Sequence, residues 1–170
     1  KPQVQERLCA ATILPGTALV ESGSSFAQAG ANSAVKIYIA QDNYLALKDV
    51  DTAWPANDRI IGMEPLDDQF FNVRVPTGVN VTRGAELTTT SAGKFTLATT
   101  GQNVRMIAEE AYNNTSGADQ LVRARKAQPG MVKATFGTGT SVLLNIGGAF
   151  RRPPEGLVCA LAWVVQGRPT

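Results

Sequence analysis

With 170 residues the chain has the length of one ordinary domain, enough to bury roughly 70% of the surface its unfolded form exposes. Hydrophobic residues make up 44% and charged residues only 18%, which excludes a wholly disordered chain and predicts a weakly charged surface. The formal charge of +2, from 16 basic and 14 acidic residues, is too balanced to neutralise a run of phosphates, so no direct nucleic-acid binding is expected.

In chain order, residues 1–34 offer at most a turn or two of helix around residues 4–11. A Gly/Ser/Ala-rich stretch with little period follows. Such a segment covers itself poorly and reads as an extended arm that orders against a neighbour. Regular structure is predicted from Val35, where "VKIYIA" places Val35, Ile37 and Ile39 on one face and Lys36 and Tyr38 on the other. A long polar, proline-interrupted loop follows, "QDNYLALKDVDTAWPANDR", about as long as a loop becomes before a role for it is suspected. Strands then resume at "RIIGME", "FFNVRVP" and "GVNVTRGAEL", with Phe71, Val73 and Val75 facing one way and Phe70, Asn72 and Arg74 the other.

Two threonine-rich strands meet across Ser91, Ala92 and Gly93, where Gly93 is free to take a positive φ. Phe95 and Leu97 are expected to point to the core. Val104, Met106 and Ala108 form another inward face, as do Val122 and Ala124. The Arg123, Arg125 and Lys126 cluster reads as a solvated face. The compact unit is expected over residues 35–127. Residues 128–170 carry three more strand candidates (132–136, 142–146 and 157–165) that pack on the same sheets or on a neighbouring copy. The fold class is thus mainly β.

Chemistry is sparse. The chain has no histidine, which removes the usual general base, the commonest metal ligand and the Ser-His and Cys-His nucleophile pairs. Neither Cys9 nor Cys159 has an activating partner, and both sit among apolar residues as small reduced hydrophobes would. The carboxylates Asp67-Asp68, Glu109-Glu110 and Asp49, Asp51 and Asp58 lack the arrangement of a shared acid site. "VDTA" lacks the apolar strand that leads into an aspartic-protease loop, and "FGTGTS" lacks the Lys-Ser/Thr of a phosphate-binding loop. No catalytic residue, cofactor or metal is therefore expected. The longest apolar run, residues 157–165, is under half of the roughly 20 residues a membrane helix needs, so no membrane partner is expected either. No charged-then-apolar leader stands at the start, which fits synthesis in a reducing cytoplasm.

Residues 35–127 resemble the head decoration, or capsid cement, proteins of tailed bacteriophages. The resemblance is carried by Gly84-x-x-Leu87, the Gly93-Lys94 and Thr100-Gly101 turns, "IAEEA" at 107–111 and "LVRARKA" at 121–127. It implies a small antiparallel β-barrel or tulip-like domain on the outer surface of a DNA-filled head, bound to the major capsid protein. It also implies contact with further copies of the chain, as a homotrimer or homodimer at capsid symmetry axes. The apolar residues outside the patterned core, Leu8, Ile13, Leu14, Leu19, Val20 and Phe26 of the arm and Tyr44 and Trp54 of the long loop, are the expected contacts. The alternative is a carbohydrate-binding or adhesion module, with Trp54 as the stacking platform beside the polar residues up to Asp58.

Overall fold

The computed structural model describes residues 3–134 and, beyond them, two short strands. Residues 1–134 form one compact unit. In the second, residues 135–170, β13 (Val164–Val165) pairs antiparallel with β14 (Arg168–Pro169). The strand candidates at 135–136, 142–146 and 157–163, with Cys159 and Trp163, lie outside the described residues.

The first unit is mainly β. Five strands close a barrel in the order β1 (Val4–Cys9), β3 (Ser25–Gln28), β2 (Ala18–Ser22), β4 (Tyr38–Ala40) and β5 (Arg59–Met63), with β5 returning to β1. Four pairings are antiparallel, but β1 runs parallel to β3, so the barrel is mixed rather than purely antiparallel. A five-stranded antiparallel sheet packs beside it, ordered β6 (Phe70–Val75), β12 (Gln120–Lys126), β10 (Met106–Ala108), β8 (Glu86–Thr89) and β9 (Phe95–Leu97). A small ladder of β7 (Asn80–Val81) and β11 (Tyr112–Asn113) completes the set.

Alternation along β2 and β4 builds two cores. Leu19, Tyr38 and Ala40 point into the barrel with Cys9, Ile13, Phe26, Trp54, Ile60 and Ile61. Their neighbours Ala18, Ile37 and Ile39 point outward against Phe71, Val73, Val75, Leu87, Phe95, Met106 and Val122 of the second sheet. From Ile37 to Ala40 both faces are thus buried, as befits a strand shared by two layers, whereas Val35 lies ahead of the strand and is 60% exposed. Inside the barrel the Phe26 and Tyr38 rings lie 5.0 Å apart and tilted by 53°. The Tyr38 hydroxyl donates to Glu21 at 2.6 Å. Gly62 lets this happen, because a Cβ there would stand 2.8 Å from the Phe26 ring.

Three expectations change. Residues 1–34 are not an arm but supply three of the five barrel strands. Ile13, Leu19 and Phe26 fill the barrel interior, and Val20 is half-buried against the core between barrel and sheet. The compact unit also runs past Ala127, since Val132 bridges to Asn103 and Lys133 pairs with Glu86 at 2.7 Å. Finally Leu97 is exposed, at the far end of the outermost strand β9, while Phe95 is fully buried.

Cys9 is buried inside the barrel, where it packs as a small hydrophobe. Burial, and then the nearby Asp58 carboxylate, push its thiol up to about 11. A raised thiol value means the folded state resists ionisation. Stability from this group is therefore flat up to the unfolded thiol value of about 8.5 and falls as pH rises beyond it. At about pH 8, iodoacetamide is expected to leave Cys9 unmodified in the folded protein and to label it fully in urea, as read by mass spectrometry of its peptide.

Candidate interaction surface

The long loop between β4 and β5 is anchored at its base and apolar at its tip. Trp54 pairs with Ile13 through two backbone hydrogen bonds of 2.8 and 3.0 Å, and its indole Nε1 donates to the Gln41 carbonyl at 2.7 Å. These bonds tie both ends of the loop to the barrel. Arg74 holds the middle. Its guanidinium, 2% exposed, donates to the carbonyls of Pro15 at 2.8 Å, Asp119 at 3.2 Å and Val50, and to the Asp51 carboxylate at 2.9 Å. One β6 side chain thereby joins the barrel, the loop and the second sheet. A buried charge satisfied this fully is costly to truncate, because the carbonyls it serves would lose their donor.

Between these anchors the backbone forms a single 3-10 turn over Tyr44–Ala46, with Asn43 Oδ1 accepting from the Ala46 N–H at 3.3 Å. Leu47 ends the turn in the left-handed region at φ 53° and ψ 35°. That conformation costs a branched residue roughly 1–2 kcal/mol. It turns the next residues back toward Asp49, whose Oδ1 accepts from the Thr52 hydroxyl at 2.8 Å and the Asp51 N–H at 3.1 Å. The Thr52 hydroxyl first, and then the Asp51 N–H, hold the Asp49 carboxyl below its ordinary range. The turn is therefore held while Asp49 is ionised, and loosens as pH falls through that lowered value.

What this ordered turn presents outward is unusual. Tyr44 is 58%, Leu45 74% and Leu47 93% exposed, with Val50 beside them. Singly exposed apolar residues need no explanation; several large ones on one fixed turn mark a contact surface.

Of the eight residues expected to make contacts, the structure leaves two well exposed, Tyr44 on this turn and Leu8 on the outer face of β1. Leu14 is half-buried. Ile13, Leu19, Phe26 and Trp54 are closed inside the barrel and cannot reach a partner without unfolding it. Trp54 is therefore no stacking platform, which removes the expected glycan site around it. Leu45, Leu47 and Val50 were missed, although "YLAL" is a cluster of large apolar residues inside an otherwise polar loop. Among the described residues no group of three or more Cys, Asp or Glu side chains could hold a metal ion, and no helix is long and apolar enough to cross a membrane.

No family model matches the chain. A 41-residue stretch is 49% identical to glycerol kinase of Alkaliphilus metalliredigens strain QYMF, covering 24% of this chain and 8% of the kinase. The chain therefore spans a small fraction of that enzyme. Among solved structures, the N base of head fiber gp8.5 of bacteriophage phi29 is similar with a TM-score of 0.49 and 16% identity, over 73% of this chain and 92% of that one. At that level the similarity does not extend to function.

Proposed function

We propose that this chain is a structural virion protein that seats on the outside of a phage head and cements neighbouring major capsid subunits. The reading rests on the cement-protein resemblance of residues 35–127, and the single observation that carries it in three dimensions is the anchored apolar turn at Tyr44, Leu45 and Leu47. A binding protein that resists strain needs its contact residues fixed before they meet the partner, since an ordered surface loses less entropy on association. The Trp54 and Arg74 anchors supply that order.

Cementing follows from multiplicity. Each turn offers a modest apolar contact, but a dimer or trimer at a symmetry axis engages several capsid subunits at once, and effective concentration multiplies the affinity. The role is one of binding rather than catalysis, with no cofactor and no nucleic-acid contact.

The test is co-sedimentation with undecorated heads. Each leucine buried at the contact is worth about 1.5–3 kcal/mol, so the double substitution Leu45→Asp, Leu47→Asp should weaken binding by roughly 100-fold. Its thermal midpoint should stay unchanged, because neither side chain supports the core. Undiminished binding by a folded double variant would remove the turn from the interface.

A further inference from the structure

A second site lies where the barrel meets the edge of the other sheet. A cleft of about 410 Å³ opens there, and its polar walls carry Gln3, Gln41, Asp42, Gln69 and Asn72, with Phe70 at the rim. That volume is within the range of small-ligand pockets.

The cleft has unspent hydrogen-bonding capacity in a fixed arrangement. Gln3 Nε2 donates to Gln69 Oε1 at 2.5 Å and to the Glu64 carbonyl at 3.1 Å, and Gln41 Nε2 donates to the Ile39 carbonyl at 3.2 Å. These bonds orient the carboxamides while leaving Oε1 of Gln3, Oε1 of Gln41 and Nε2 of Gln69 uncommitted among the described residues. Asn72 and Asp42 make no side-chain bond to any described residue. The backbone adds more. Arg74 N–H reaches across to the Gly16 carbonyl at 2.9 Å, so alternate residues of β6 aim their backbone groups toward the barrel, and those of Phe70 and Asn72 find no barrel partner among the described residues.

We infer that this cleft binds a short neutral oligosaccharide. Carboxamides pair an acceptor with two donors at a spacing that suits adjacent hydroxyls, and Phe70, 62% exposed with the Arg123 guanidinium 5.9 Å from its ring centroid, offers an aromatic surface to the C–H face of a sugar. Among the described residues Asp42 is the only charged side chain in the lining, and Arg123 over the rim ring is paired with Glu110 at 4.0 Å, so the lining itself does not favour a phosphorylated or acidic ligand. An extended peptide added to β6 would gain only the Phe70 and Asn72 positions before Gly16 blocks the edge, a poor length for strand addition.

The experiment is a titration of the full chain, labelled with nitrogen-15, with maltohexaose, cellohexaose and chitohexaose at millimolar concentrations. At least one should shift the side-chain amide signals of Gln3, Gln41, Gln69 and Asn72, and Phe70→Ala should weaken that binding about tenfold, with the remaining spectrum unchanged. Three silent sugars would overturn the assignment. So would binding unaffected by Phe70→Ala, or backbone shifts at Phe70 and Asn72 caused by an alternating Val/Thr pentapeptide in place of any sugar. The Leu45→Asp, Leu47→Asp variant should keep full sugar binding, which separates this site from the capsid-facing turn.

Discussion

Trp54→Ala is expected to lower the unfolding free energy by about 3–5 kcal/mol, the usual cost of emptying a large aromatic site in a core. In a domain whose whole stability is about 5–15 kcal/mol, that is close to unfolding. The effect has two sources. The indole fills the barrel interior beside Ile13, Phe26 and Ile60, and its Nε1 bond to the Gln41 carbonyl fixes the start of the long loop. Urea unfolding followed by circular dichroism measures the first. A fall in head binding larger than the lost folded fraction measures the second, since a loosened base gives the Tyr44–Ala46 turn freedom it must lose again on contact. An unchanged urea midpoint would show that the ring does not belong to the core.

Gly93→Ala should be nearly as damaging, by about 3 kcal/mol, although it adds one methyl group. Gly93 sits at φ 68°, where a side chain costs about 1–2 kcal/mol. Its carbonyl also accepts from the Ala18 N–H at 2.7 Å, which docks the β8–β9 hairpin on the barrel. The docking leaves no room: an added Cβ would meet the Ala18 carbonyl oxygen at 2.5 Å and Thr17 Cγ2 at 2.8 Å. Overpacking of this kind typically adds 1–3 kcal/mol. Gly101→Ala is the control, because Gly101 has a similar φ of 81° with nothing within 4 Å of the new Cβ. It should show only the conformational cost, and equal losses at the two positions would mean that the docking contact contributes nothing.

The second sheet was largely legible because β6, β10 and β12 follow the ordinary rule and bury the apolar face that their alternation marks, although Arg74 of β6 and Thr88 of β8 are buried as well. Phe71, Val73 and Val75 are inward as the alternation of β6 requires, and Val104, Met106 and Ala108 follow suit. The barrel's first strand breaks that rule. In β1 the apolar Val4 and Leu8 face out, while Gln5 and Arg7 turn inward and are half-buried. They are accommodated by specific partners: Gln5 donates to the Tyr38 hydroxyl at 3.1 Å, and Arg7 donates to Glu21 at 2.9 Å and lies 5.7 Å from the Phe26 ring centroid. A strand whose inward residues are polar has no periodic signature, so residues 1–34 read as an arm. The "SGSS" stretch misled for a related reason. It resembles a flexible linker in composition, yet Ser22 pairs with Ser25 across a tight two-residue turn. The candidate contact turn was half legible: Tyr44 stood out, whereas the exposure of Leu45 and Leu47 depends on the left-handed residue that ends the turn, a conformation that leucine's identity does not announce.

The order in which the barrel strands pair also sets when the chain can fold. β1 is the first strand made, and its antiparallel neighbour β5 is the last of the five, so Leu8 must wait for Arg59. At roughly 5–20 residues per second of synthesis that wait lasts several seconds. Meanwhile β1 to β4 can pair with one another, but the edges of β1 and β4 that β5 will close stay open, and strand edges left open in this way recruit other chains. Such long-range closure predicts slow refolding from urea as well. The chain is thus most vulnerable to aggregation on the ribosome, before its fifth barrel strand arrives, and crowded expression should be limited by that interval rather than by the stability of the finished fold.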